Sequence, residues 1–174
     1  MSKSAPEPSY DYAEFMQRAY AMELEATERY AQFAEQMDGH NNREVAELFR
    51  KLSKIEALHA QRILEEMRWP SLPALPPAYA WESLEGPETA PFESVHYLMQ
   101  PYHALEIALR CELQAVQYFD GIAAGDVPER VRAAAKEMAE EEREHVALIK
   151  EWMKKVPRPA PGWDEDPDPP RLSE

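Results

Sequence analysis

The sequence predicts an all-α domain, a four-helix bundle of two antiparallel helix hairpins joined by a long proline-rich crossover. Three observations carry that expectation. Apolar residues recur at three- and four-residue steps along four long stretches. Five glycines in 174 residues are few for strands joined by tight turns, and the Ala, Glu, Leu, Met and Arg content favours helix. The two halves also repeat: Glu23-Leu24-Glu25-Ala26 and Glu112-Leu113-Gln114-Ala115 match at three of four positions.

Residues 1–9 carry two prolines and no periodicity, and read as a flexible arm ahead of a bundle over 10–155. The first helix is expected from about Tyr10 to Met37. Its stripe of Met16, Ala19, Ala26, Tyr30, Phe33 and Met37 is interrupted only by Glu23. Asp38-Gly39-His40-Asn41-Asn42 then turns the chain, with Gly39 suited to a helix end and Asn41 or Asn42 to the next N-cap. The second helix runs to about Met67, carrying Val45, Leu48, Phe49, Leu52, Ile55 and Ile63 on the face that also holds Glu56 and His59.

Trp69-Pro70 ends that helix, because proline lacks the amide and clashes with the preceding turn. A crossover over about 69–100 follows, without sustained helical period and long enough to span the bundle. Glu93 to Gln100 has room for a short helix. Pro101 suits the first turn of the third long helix, expected to reach Ile122 with Leu105, Ala108, Leu109, Glu112, Ala115, Val116 and Phe119 inward. Gly125-Asp126-Val127-Pro128 separates it from the fourth. That helix reaches about Lys155, with Val131, Ala135, Met138, Leu148, Ile149 and Trp152 flanking Glu142 and His145. Residues 156–174 are acidic and proline-rich, and read as a disordered tail.

A formal charge of −14 repels phosphate backbones, so nucleic acid is not an expected partner. With Cys111 alone, no disulfide forms within the chain and no Cys-x-x-Cys holds an iron–sulfur or rubredoxin-type centre. No apolar signal region and no run of membrane-spanning length is present, so a cytoplasmic protein without membrane association is expected.

The chemistry is written in two Glu-x-x-His motifs, Glu56–His59 and Glu142–His145. Residues i and i+3 share one helix face about 5–6 Å apart at Cβ, so carboxylate and imidazole can reach one ion. One such motif arises easily by chance in a Glu-rich chain. Two, each on an apolar stripe and each matched by a stripe Glu in the preceding helix, do not. Glu23 precedes Glu56 by 33 residues and Glu112 precedes Glu142 by 30. Within each hairpin the single Glu and the motif lie at similar distances from the turn, which brings all six groups to one level.

Four carboxylates and two imidazoles converging in a core repel one another without a cation, and the stripes offer no inward Arg or Lys. The donors suit two metal ions, with iron, manganese or zinc as candidates. Glu56 and Glu142 are expected to bridge; Glu23 and Glu112 are terminal, with His59 and His145 each capping one ion. Tyr30, two turns from Glu23, is either a packed core tyrosine or a hydrogen-bond donor beside the site. Cys111 points about 100° away from Glu112 and reads as packing. His40 and His103 lack Glu at i−3, and His96, although Glu93 precedes it by three, lies off the four long apolar stripes; all three read as local or surface groups. Glu137, Glu140, Glu141 and Glu144 read as solvated faces, with Glu141 and Glu144 candidates for assisting iron on its way in.

Glu23, Glu56-x-x-His59, Glu112 and Glu142-x-x-His145 resemble the di-iron motif of the ferritin-like superfamily. Glu23-x-x-Ala26-x-x-x-Tyr30 resembles its rubrerythrin branch. The resemblance covers residues 10–155 and implies a ferritin-like bundle holding two iron ions that react with dioxygen or hydrogen peroxide, in a homodimer or larger assembly. Two departures stand out. Rubrerythrins proper carry a rubredoxin-like domain with paired Cys-x-x-Cys, absent here, so electrons would come from an external donor. They also supply an extra Glu where this chain has Ala115.

These readings converge on a protein that oxidises Fe(II), or reduces peroxide or dioxygen, in iron handling or oxidative-stress defence. Iron storage or delivery, a di-iron oxygenase acting on an organic substrate, and a structural bundle binding zinc or no metal are the competing classes.

Overall fold

A computed structural model describes residues 11–70 and 88–167; the expected arm at 1–9 lies outside the described residues. Four helices carry the fold: α1 (Tyr12–Gly39), α2 (Arg43–Met67), α3 (Pro101–Ala124) and α4 (Glu129–Met153). No strand occurs among the described residues, and none of their helices is long and apolar enough to cross a membrane. The bundle is a ferritin-like arrangement. α1 packs along α2 and α3 along α4, while α2–α3 and α1–α4 contacts close the ring.

Local chemistry sets the helix ends. Asp11 caps α1 through its carboxylate. The α1–α2 turn holds Asn41 at φ 58°, a left-handed conformation that asparagine tolerates better than most residues. Asn42 is the N-cap of α2, but its side chain reaches elsewhere, donating to the Met99 carbonyl at 2.6 Å. That bond ties the first hairpin's turn to the start of α3. Arg68 closes α2 in a left-handed conformation, with the Trp69 amide donating to the Leu64 carbonyl. Pro101 opens α3, where the Gln100 amide donates to His103 Nδ1 at 3.0 Å. Arg132 holds the α3–α4 turn by donating to the carbonyls of Ala123 and Val127.

α3 begins beside the first turn, at the opposite end of the bundle from the end of α2. The described part of the crossover shows a single 3-10 turn, Phe92–Ser94, in place of the short helix expected over 93–100. Val95 is extended, and Pro101 forces the preceding Gln100 into extended backbone, so no helix propagates between them. The structure also departs from a tail disordered from residue 156. Val156 and Trp163 pack on the core, and the Trp163 ring lies 3.7 Å from His103 and 5.4 Å from His96, centroid to centroid. Residues 168–174 lie outside the described residues.

The core falls into two apolar clusters. One, towards the first turn, includes Tyr30, Phe33, Phe49, Leu52, Leu105 and Ile149. The other includes Phe15, Met16, Ile63, Phe119, Val131 and Ala135. Along every helix the change from one cluster to the other occurs at the inward Glu: between Met22 and Ala26, Leu52 and Ala60, Cys111 and Ala115, Ala139 and Ile149. A polar layer thus crosses the middle of the bundle.

Candidate metal centre

Each long helix contributes one buried carboxylate to this layer: Glu23, Glu56, Glu112 and Glu142, none more than 4% exposed. Helical spacing puts each on the stripe that its neighbours bury, so folding the apolar faces together carries the carboxylates inward. One turn from the layer, the Thr27 hydroxyl donates to the Glu23 carbonyl and the Ser53 hydroxyl to the Thr27 carbonyl, fastening α1 to α2.

The histidines divide the layer in two. His59 Nδ1 lies 3.5 Å from Glu56 and 3.7 Å from Glu23. His145 Nδ1 lies 3.1 Å from Glu142 and 3.2 Å from Glu112. The structure therefore brings together all six residues singled out in the sequence.

A seventh joins them. Glu88, from the crossover, is 1% exposed, and it groups with Glu23 and Glu142 and also with Glu56 and Glu112. The carboxylate and imidazole donors form four overlapping groups, each with ligand atoms within 4.8 Å of one another and each able to hold a metal ion. Periodicity could not reveal Glu88, since it sits in Pro87-Glu88-Thr89-Ala90-Pro91 and resembles the nearby Glu82 and Glu85. A Glu close to the end of a bundle-length crossover was its only signal.

Burial and crowding shift several groups of the layer. Burial pushes the Glu23 carboxyl up to about 8, against the opposing effect of His59 and with the charges of Glu142 and Glu56 adding to it. Burial and then the surrounding carboxylates hold Glu88 well above the usual range. Glu112 is raised by burial, against the opposing effect of His145 and with Glu56 and Glu142 adding to the rise. Burial works to lower both imidazoles, yet the adjacent carboxylates raise His59 to about 10 and His145 to about 11.

Glu23 Oε2 and both oxygens of Glu56 and of Glu88 are buried without a hydrogen-bond partner. No lysine or arginine among the described residues pairs with any of the five carboxylates. A buried carboxylate left so costs several kcal/mol. Hard oxygen donors with two imidazoles fit divalent first-row metals, and the residues present fit such ions well.

Around the centre, Tyr30 is fully buried and its ring stacks with Phe49 at 6.1 Å; its hydroxyl makes no hydrogen bond to a site carboxylate. Cys111 is buried in the core, and burial followed by the Glu112 charge pushes its thiol up to about 12. It stays a neutral packing group. A cleft reaches the layer beside Glu23 and His59, its walls including Met16, Ile63 and Met138 and the exposed Glu66, Glu137 and Glu141. Glu144 is exposed and is not part of that wall.

Residues 14–71 match the rubrerythrin family model. Comparison with curated proteins gave no match. The crystal structure of an uncharacterized conserved protein from Magnetospirillum magnetotacticum MS-1 is similar, at 36% sequence identity and a TM-score of 0.64, covering 87% of this chain and 99% of that one. The chain belongs to the family of that uncharacterized protein, and its first hairpin carries the rubrerythrin-family fold.

Proposed function

We propose that the chain is a di-iron carboxylate protein that oxidises Fe(II) or reduces hydrogen peroxide or dioxygen. The observation carrying this reading is the convergence of buried carboxylates and two imidazoles on one level, with five carboxylates against two imidazoles and no lysine or arginine among the described residues paired with them. Glu23 and His59 would hold one ion, and Glu112 and His145 the other. Glu56 and Glu142, each one turn from a site histidine on its own helix, would bridge. Bound as a pair, two ferrous ions supply two electrons together, the number needed to reduce hydrogen peroxide to two waters.

The chain's own part is to fix the separation of the donors and flank them with two apolar clusters, its carboxyls and imidazoles giving up their protons as they take the ions. The cleft carries three exposed glutamates against one arginine, Arg62, a balance that suits the approach of a cation, while its apolar walls leave an organic substrate as the second reading. Anaerobic titration of the metal-free protein with Fe(II), followed by dioxygen or peroxide, tests the proposal. Two irons per chain and a rapid rise in ferric absorbance are expected. No binding, or one redox-silent ion per chain, would overturn it.

A further inference from the structure

We propose that Glu88 is a further metal ligand of this centre, supplied by the crossover and placed to touch both ions. The inference rests on the metal-centre reading above and adds a residue that none of the four helices provides.

Three observations carry it. Glu88 is as buried as the helical carboxylates, yet neither of its oxygens has a hydrogen-bond or ion-pair partner. A surface-type glutamate in a loop would turn outward to water; this one points into the bundle. It also belongs to two donor groups at once, with Glu23 and Glu142 and with Glu56 and Glu112, which places its carboxylate between the two halves of the layer. Finally, the backbone beside it is held in place. The Arg29 guanidinium, from α1, donates to the Ala90 carbonyl at 2.5 Å, and Thr89 and Ala90 are themselves buried. Arg29 is thus a positioning residue, fixing the segment whose carboxylate reaches the site.

The charge balance gives Glu88 a role distinct from the other four. Four carboxylates neutralise a pair of divalent ions; a fifth offsets part of the charge added when those ions become trivalent.

The test compares wild type, Glu88→Gln and Glu88→Ala by Co(II) titration of the full chain, reading stoichiometry, affinity and visible absorption. All three should bind two ions per chain, with affinity for at least one ion about tenfold or more weaker in the variants. The Co(II) absorption should intensify as a ligand is lost and coordination number falls. Equal affinity and an unchanged spectrum in variants that still bind two ions would overturn the role of Glu88 while leaving the metal centre standing. Failure of wild type itself to bind would overturn both. Should the variants not fold, a crystal structure of the Mn(II)-loaded wild type decides: a Glu88 oxygen at coordination distance is expected, and a Glu88 turned away from both ions would refute the proposal.

Discussion

The imidazole rings of His59 and His145 lie face to face, 4.4 Å between centroids and 4° from parallel. They come from α2 and α4, which belong to different hairpins. Their Nδ1 atoms serve separate carboxylate pairs, Glu23 with Glu56 and Glu112 with Glu142. The two hairpins therefore meet through the rings at the level of the site, and the register between them is fixed where the donors must line up.

Helical phase gives the first prediction. Glu142 is buried and Glu144, two residues on, is exposed. Glu142→Ala should lose both metal ions, whereas Glu144→Ala should retain them, measured as metal content per chain after desalting. Equal content in the two variants would contradict the inward direction of Glu142.

Metal removal should destabilise the bundle. Ions that bind only the folded chain stabilise it by about 4 kcal/mol at a thousandfold excess over Kd. For a chain of this length that corresponds to a melting temperature lower by roughly 10 °C after chelation. A melting curve indifferent to chelator would count against a buried metal centre.

The metal-free protein should also lose stability as pH rises. Glu23 keeps its proton to about 8 when folded against an ordinary 4.5, so the folded state binds more protons across that window. His59 and His145 act with the same sign: their contribution is complete below 6.5 and is lost as pH climbs to about 10 and 11. Thermal melts in chelator at pH 6 and pH 9 should show the lower midpoint at pH 9. A higher midpoint at pH 9 would reverse the assignment.

Trp163 should fasten the C-terminal segment. Trp163→Ala removes the ring contacts to His96 and His103 and should cost about 1 kcal/mol, read from the urea midpoint, with metal content unchanged. No change in the midpoint would mean the segment adds nothing to the bundle's stability.

What the sequence revealed and what it hid follow from periodicity. Glu23, Glu56, His59, Glu112, Glu142 and His145 sit on helices, where a 3.6-residue repeat tells inside from outside and the spacing tells height. Glu88 and Trp163 sit in proline-rich chain, where no repeat exists and the direction of a side chain depends on distant contacts. For Glu88 such a contact is Arg29, which lies 61 positions from Ala90. Glu93 to Gln100 looked helical by length alone, but extended backbone at Val95 and before Pro101 governed its conformation.

The polar layer that parts the core into two apolar clusters has a consequence for how the molecule breathes. We expect each cluster to open as a unit of its own, with the seam between them, when no cation fills it, the first plane to yield. Amide hydrogen exchange should then run at two speeds, with residues flanking Glu23, Glu56, Glu112 and Glu142 the first to open. Filling the centre should merge the two units into one and slow exchange most at the seam, far more than at the helix ends.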